Sequence, residues 1–275
     1  MSSLNLVVVG LIIGIIAYIM LYLGKGIQKY AIEGLKIDKS IKSKHSGIWI
    51  LGLILTSTYM FIQWIALLFA PINIVAPLGG IGLIVLLLFS YYILHEEIYN
   101  IQIVGVILII IGTTLVTIFN PNKGEINAED LTLPLLIAFS LPIIIIEIIF
   151  IIISKLKDHF AAGLILGITA GTFNAFQTVS KRITAVHDPL ITLIFTFVTF
   201  LTALLTLLIT QYAFTKSKAN IVVPCYTSTS ISLAVILSLI VLNEEIVLFQ
   251  VFGIIIVIFG VIFVSVFNRE VKRED

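Results

Sequence analysis

The sequence predicts an all-α polytopic membrane protein: nine transmembrane helices in an inverted-topology repeat, with the N-terminus outside and the C-terminus inside. Three observations carry that expectation. The 275 residues are 60% hydrophobic and only 11% charged. Apolar runs of membrane-spanning length alternate with charged connections, and the first half of the chain resembles the second. A mean hydropathy of +1.19 lies far outside soluble composition. The formal net charge of +1, from 16 basic and 15 acidic residues, gives no reason to expect nucleic acid as a partner. A single cysteine, Cys225, excludes an internal disulfide, a thiolate metal cluster and a CxxC redox pair.

A hydrocarbon core of about 30 Å takes roughly 20 helical residues. Runs of that length lie at 4–24, 47–69, 72–94, 98–119, 133–154, 161–182, 189–213, 219–242 and 246–268. The first lacks a preceding basic residue, is too long for a signal peptide and is followed by further spans, so it is read as retained. The runs leave only short connections, and the chain divides into a first repeat (1–122, spans 1–4), a linking fifth span (123–158) and a second repeat (159–275, spans 6–9) within one integral membrane domain. Orientation follows from Lys and Arg. With the N-terminus outside, 13 of the 16 basic residues fall on the inner side, and the outer side holds Lys123, Lys181 and Arg182. The longest inner connection spaces Ile27, Tyr30, Ala31, Gly34 and Leu35 among lysines as an interfacial helix on anionic lipid would. An ordinary positive-inside loop explains it more simply.

Internal similarity gives the architecture. GLIIGIIA at 10–17 recurs as GLILGITA at 163–170, and INIVAP at 72–77 recurs as ANIVVP at 219–224. From Leu94 to Asn120 against Leu242 to Asn268, 12 of 27 positions are identical, among them Glu96/Glu244, Glu97/Glu245, Gln102/Gln250, Gly105/Gly253 and Gly112/Gly260. Matching helices are five spans apart, an odd number, so the halves enter the membrane in opposite directions. Such repeats are a transporter architecture, since two similar halves rocking about a midplane site expose it to each side in turn.

The segment APINIVAPLGGIGLIVLLLFSYYILHEEI and the following VGVILIIIGTTLV, with NIVVP and NEE in the second half, resemble the NIPA-type magnesium transporters of the drug/metabolite transporter (EamA-like) superfamily. The resemblance covers nearly the whole chain. It rests on Pro77, Leu78, Gly79, Glu96, Pro224 and Glu244, and it implies nine spans, an outside N-terminus and magnesium as cargo. It also implies a glutamate in the second span about where Met60 stands.

Glu147 is the one charged residue expected deep within a span, and an acid in lipid marks an ion or proton path by default. Ser140 and Ser154, seven residues either side, share its face, and Pro142 frees a carbonyl one turn earlier. Pro77 with Gly79 and Gly80, and Pro224 with the polar run after it, are expected to break spans 3 and 8 at corresponding places. Paired breaks point to a transporter's site. Asn73 and Asn220 precede the breaks and, with Glu147, form the candidate metal ligands. Gln63, Asn174, Gln177 and Gln211 are further intramembrane amides, which interhelical hydrogen bonding explains as well. The glutamates of the HEE and NEE turns are read as acids at helix N-termini. Gly10, Gly14, Gly163, Gly167 and Gly171 are read as close-packing faces, and Tyr22, Trp49, Tyr91, Tyr92 and Tyr99 as an interfacial belt.

No HExxH, nucleophile or ATP-binding loop is present, so an enzyme is not expected and no cofactor is called for. The expected function is transport of Mg²⁺ or a related divalent cation through a midplane site between the broken helices. The substrate pathway would be formed by Gln63, Asn73, Pro77, Gly79, Glu147, Asn174, Gln177, Gln211, Asn220, Pro224 and Tyr226. The alternative is a carrier of a small organic solute (an amine, amino acid or other metabolite), with Trp64, Phe173, Phe176 and Tyr226 lining an organic pocket. A non-transporting membrane adaptor is the third class, and it would need only a closed, dry, apolar centre. Partners are the transported solute and the bilayer, with anionic lipid at the inner leaflet. The expected location is the plasma membrane.

Overall fold

The computed structural model describes residues 3–37, 42–95, 98–119, 131–157, 161–186, 188–217 and 219–266, and the regular structure among them is helical throughout. In chain order the helices are α1 (Ser3–Ile37), α2 (Lys42–Phe69), α3 (Ile72–Val75), a 3-10 turn (Ala76–Leu78), α4 (Gly79–Tyr92), α5 (Asn100–Ile118), α6 (Leu133–Leu156), α7 (Ala162–Ile183), α8 (Pro189–Lys216), α9 (Ala219–Val241) and α10 (Leu248–Val266). Among the described residues six segments are long and apolar enough to cross a bilayer: Leu6–Gly34, His45–Phe69, Ile72–Tyr92, Leu133–Leu156, Pro189–Lys216 and Ile221–Val241. Asn100–Val116 and Leu248–Phe263 are apolar but shorter.

The expected sixth span, α7, falls outside that set because its surroundings are protein rather than lipid. Thr169, Thr172, Asn174, Gln177, Thr178, Ser180, Lys181 and Arg182 all lie on it, and all are buried. A helix enclosed over most of its surface can carry polar groups that neighbouring helices satisfy. The contrast is α6, whose only buried side chains are Glu147 and Ser154. Its apolar surface is the expected condition for a helix facing lipid, where nothing polar can be satisfied.

Close packing organises the rest. α1 packs along α2 and α4, α7 along α8 and α9, and α5 against α10. A Cβ on Gly112 would stand 2.5 Å from the Gly253 carbonyl oxygen, one on Gly253 2.8 Å from the Gly112 oxygen, and one on Gly260 2.7 Å from the Gly105 oxygen. Only glycine lets α5 and α10 approach so closely. Gly167 and Gly171 do the same for α7 on α9, with would-be Cβ atoms 2.7 and 2.5 Å from the carbonyl oxygens of Val222 and Tyr226.

Helix ends follow local chemistry. Asp188 accepts hydrogen bonds from the Leu190 and Ile191 amides, both at 2.9 Å, and Pro189 opens α8 behind it. The Gln102 side chain accepts from the Tyr99 amide at 2.9 Å, and its match Gln250 accepts from the Val247 amide at 3.2 Å. The turns before α5 and α10 both contain a left-handed residue, His95 (φ 55°) and Asn243 (φ 48°).

Several expectations change. The run after Gly24 is neither a loop nor a separate interfacial helix: α1 continues unbroken to Ile37, with Lys25, Gln28 and Lys29 buried on it. Span 3 is interrupted as expected, by the 3-10 turn holding Pro77, but α9 runs through Pro224 without a break. Pro224 stands in the second turn of α9, where it removes a single intrahelical bond. The second half also has Tyr226 and Thr227 where the first has Gly79 and Gly80, so it lacks the flexible pair that follows Pro77. α6 likewise continues through Pro142.

Candidate functional site

Polar side chains meet at the centre of the bundle within a mostly apolar wall. A cavity of about 310 Å³ lies between α2 and α8 on a floor of α1, α7 and α9. Its polar wall consists of Lys25 and Gln28 from α1, Thr56, Ser57 and Tyr59 from α2, Asn174 and Gln177 from α7, Thr206, Thr210 and Gln211 from α8, and Tyr226 from α9. Leu21, Met60, Phe61, Phe200, Leu204 and Leu207 supply apolar wall. No aspartate or glutamate lines it among the described residues.

Hydrogen bonds fix the surrounding layer. Lys181 donates to Gln63 Oε1 at 2.7 Å, and Gln63 Nε2 donates to the Tyr18 hydroxyl at 2.9 Å. Asn174 donates to Ser230 at 2.6 Å. Gln211 donates to Gln28 Oε1 at 2.6 Å and accepts from the Trp49 indole at 3.0 Å. Tyr22 and Thr227 are hydrogen-bonded across the core. Thus Asn174, Gln177, Gln211 and Tyr226 line the cavity as members of the expected pathway, whereas Gln63 stands one layer behind, on Lys181.

The remaining candidates lie elsewhere. Glu147 is buried, but it lines a separate cleft between α6, α7, α9 and α10 and not the central cavity. Its Oε1 accepts from Thr172 at 2.5 Å and its Oε2 is buried without a partner. Ser228, Thr229 and Ser232 complete a hydroxyl-rich wall there. Asn73 is fully buried, and its amide donates to the Glu245 carbonyl at 3.2 Å. Pro77 and Gly79 are buried in the kink beside it, where the Tyr18 ring would lie 3.2 Å from a Cβ on Gly79. The side chain of Asn220, and Glu96 and Glu97, lie outside the described residues. Glu147 and Asn73 therefore do not meet on the cavity. Among the described residues no three His, Cys, Asp or Glu side chains group into a metal site. Of the aromatic candidates only Tyr226 lines the cavity, since Trp64 is occupied by a 2.7 Å bond to Thr184.

The reading of Glu147 as the one deep charge is corrected, because Lys25, Lys29, Lys181, Arg182 and Glu244 are buried as well. Arg182 pairs with Glu244 at 3.3 Å and donates to the Leu67 carbonyl at 2.7 Å. Glu244 Oε1 also accepts from the Ile72 amide at 3.2 Å. This glutamate is therefore not an N-terminal acid of α10 but a clamp joining α7 to the start of α3. Lys29 donates to the carbonyls of Phe214 (3.3 Å) and Ser217 (3.0 Å) and pairs with Glu33 at 3.0 Å. Tyr22 likewise belongs to the core rather than to an interfacial belt, whereas Tyr91 and Tyr92 are exposed.

The fold is that of an integral, multi-pass membrane protein, with a cavity of mixed apolar and polar lining between α2 and α8. Residues 5–270 match the family described as "Magnesium transporter NIPA", and the chain belongs to that family. It is 28% identical over 138 residues to Magnesium transporter NIPA3 of Pongo abelii, covering 47% of this chain and 33% of the relative. Magnesium transporter NIPA3 of Homo sapiens gives the same figures, 28% over 138 residues with 47% and 33% covered. Probable magnesium transporter NIPA3 of Arabidopsis thaliana is 26% identical over 105 residues, covering 38% of this chain and 28% of the relative. The aligned region spans about a third of the length of these relatives, 28–33%. No solved structure matches the chain.

Proposed function

We propose that the chain is a secondary or facilitative carrier that moves Mg²⁺ or a related divalent cation across the membrane by exposing a cation site to each side in turn. The observation that carries this reading is the family match over residues 5–270. Nine spans with the N-terminus outside and an inverted repeat are part of the proposal. Reciprocal contacts support it: Gly105 meets Gly260 and Gly112 meets Gly253, although the sequence matches Gly105 to Gly253 and Gly112 to Gly260. Residue i touching the partner of j while j touches the partner of i is the mark of a two-fold relation. A polar, hollow centre also speaks against the adaptor reading.

Glu147 supports the cation reading best. A carboxylate oxygen without a partner, beside the hydroxyls of Thr172, Ser228, Thr229 and Ser232, offers the hard oxygen donors that Mg²⁺ prefers. The test is Mg²⁺ uptake into liposomes containing the purified protein, against a panel of amines and amino acids. Saturable Mg²⁺ uptake above empty liposomes is expected, and its absence would refute the reading. One observation favours the organic-solute alternative: the central cavity combines amides and aromatic rings with a lysine and no described acid.

A further inference from the structure

Five buried side chains that can donate line the central cavity without partners. Lys25 is 3% exposed, and its Nζ makes no hydrogen bond. It rests 2.9 Å from the centroid of the Tyr226 ring. The hydroxyls of Tyr59, Tyr226, Thr206 and Thr210, all buried and all lining the same cavity, are also unpartnered. Each hydroxyl can donate or accept, but an ammonium can only donate, so Lys25 is the group here that needs an acceptor. The arrangement lacks negative charge: the described ion pairs are Lys29–Glu33 and Arg182–Glu244, and neither involves Lys25. A second buried lysine, Lys181, lies 5.2 Å from the centroid of Tyr59, another wall residue, and is held by an uncharged amide. A buried charge without a counter-charge is costly, and a tyrosine face compensates it only in part. Bare Mg²⁺ in the same space would add repulsion to that cost.

We infer that the central cavity binds the carboxylate group of a small organic solute, with Lys25 as its counter-charge and Thr206, Thr210 and the Tyr226 hydroxyl as further donors. A single lysine matches one carboxylate, whereas a phosphate dianion calls for arginine forks or several cations. The volume of about 310 Å³ and the aromatic and apolar wall suit an organic body rather than a lone inorganic anion. The inference deepens the organic-solute reading and rests on it for transport, though not for binding.

The full chain, purified in detergent, is titrated with sodium gluconate and sodium lactate, with sodium chloride at matched ionic strength and glucose as controls. Saturable binding of a carboxylate is expected in the millimolar range, with none for chloride or glucose. Lys25→Gln should weaken it at least tenfold, Lys25→Arg should retain part, and Lys157→Gln, at an exposed position, should leave it unchanged. Because Lys25→Gln could fail to fold, acetylation of the wild-type chain is followed by mass spectrometry, where gluconate should slow modification of Lys25. No saturable carboxylate binding, binding that Lys25→Gln does not weaken, or acetylation that gluconate does not slow would each overturn the inference. Mg²⁺ uptake in chloride medium separates the two readings. Uptake that is equal in wild type and Lys25→Gln, with no carboxylate bound, removes this inference and leaves the cation carrier standing. Carboxylate binding through Lys25 without Mg²⁺ uptake does the reverse.

Discussion

Removing one partner of the Arg182–Glu244 pair should destabilise the fold far more than removing both. The two side chains are 1% and 4% exposed and 3.3 Å apart. In Glu244→Gln the guanidinium keeps the Leu67 carbonyl but loses its counter-charge. In Arg182→Met the carboxylate keeps only the Ile72 amide among the contacts described above. Breaking a buried pair from one side costs about 3–5 kcal/mol, whereas replacing both partners with apolar groups of similar volume is often neutral. Each single variant should therefore lose roughly 3–5 kcal/mol and the double variant Arg182→Met/Glu244→Leu about 1–2, giving a coupling energy on the order of 5 kcal/mol. The assay is reversible denaturation in mixed micelles, read by helix content for the four proteins of the cycle. Additive single effects, with coupling below about 0.5 kcal/mol, would show that the pair is not the clamp described.

Glu147→Gln keeps an oxygen for the 2.5 Å bond from Thr172 and removes the charge; it should slow Mg²⁺ uptake at least tenfold with helix content unchanged, and normal uptake would strike Glu147 from the ligands. Gly171→Ala puts a Cβ 2.5 Å from the Tyr226 carbonyl oxygen and should cost about 1–3 kcal/mol by overpacking, measured by the same denaturation. It should also weaken gluconate binding, because α9 must shift where it carries Tyr226. Met60→Glu places an acid on the wall that Lys25 shares. Gluconate affinity should fall at least tenfold by titration as the lysine gains an internal partner, and undiminished affinity would argue against Lys25 as the counter-charge.

How much of this was legible depends on what each residue type signals. Hydropathy marked the helices, because a lipid-facing segment such as α6 cannot carry polar groups and reads as an unbroken apolar run. The close-packing glycines were legible too, since their four-residue spacing is itself the geometric requirement. The buried charges were not. A lysine after an apolar run reads as the end of a span, and that rule placed Lys25 in a connection and Lys181 and Arg182 at the outer end of a span. It fails where protein replaces both lipid and water around the charge. A signal was available in the repeat: continuing the register of GLIIGIIA and GLILGITA carries Lys29 onto Arg182, basic residues at matched positions of both halves. The expected break at Pro224 failed for a similar reason. Proline alone does not open a helix this near its start, and the glycines that accompany Pro77 have no counterpart.

That matched pair shows how the halves are joined. Lys29 of α1 donates to carbonyls at the end of α8, and Arg182 of α7 donates to a carbonyl at the end of α2. Phe214 and Leu67, the two acceptors, are themselves matched when INIVAP is laid on ANIVVP. In each case a cation meets the carbonyl end of a helix, where unsatisfied acceptors and the dipole favour positive charge. In each case, too, the first helix of one half grips the second helix of the other. α8 runs back along α7, so its last residues lie beside the start of α7, where Ser217 closes on Gly163. The two grips therefore stand at opposite ends of α7, and the cavity lies between α2 and α8. With both closed, the halves are held together at either end of the space they share. The carrier proposed above would release one grip while keeping the other, and a lysine held by backbone carbonyls and the half-exposed Glu33 is a looser fastening than an arginine locked to a buried glutamate.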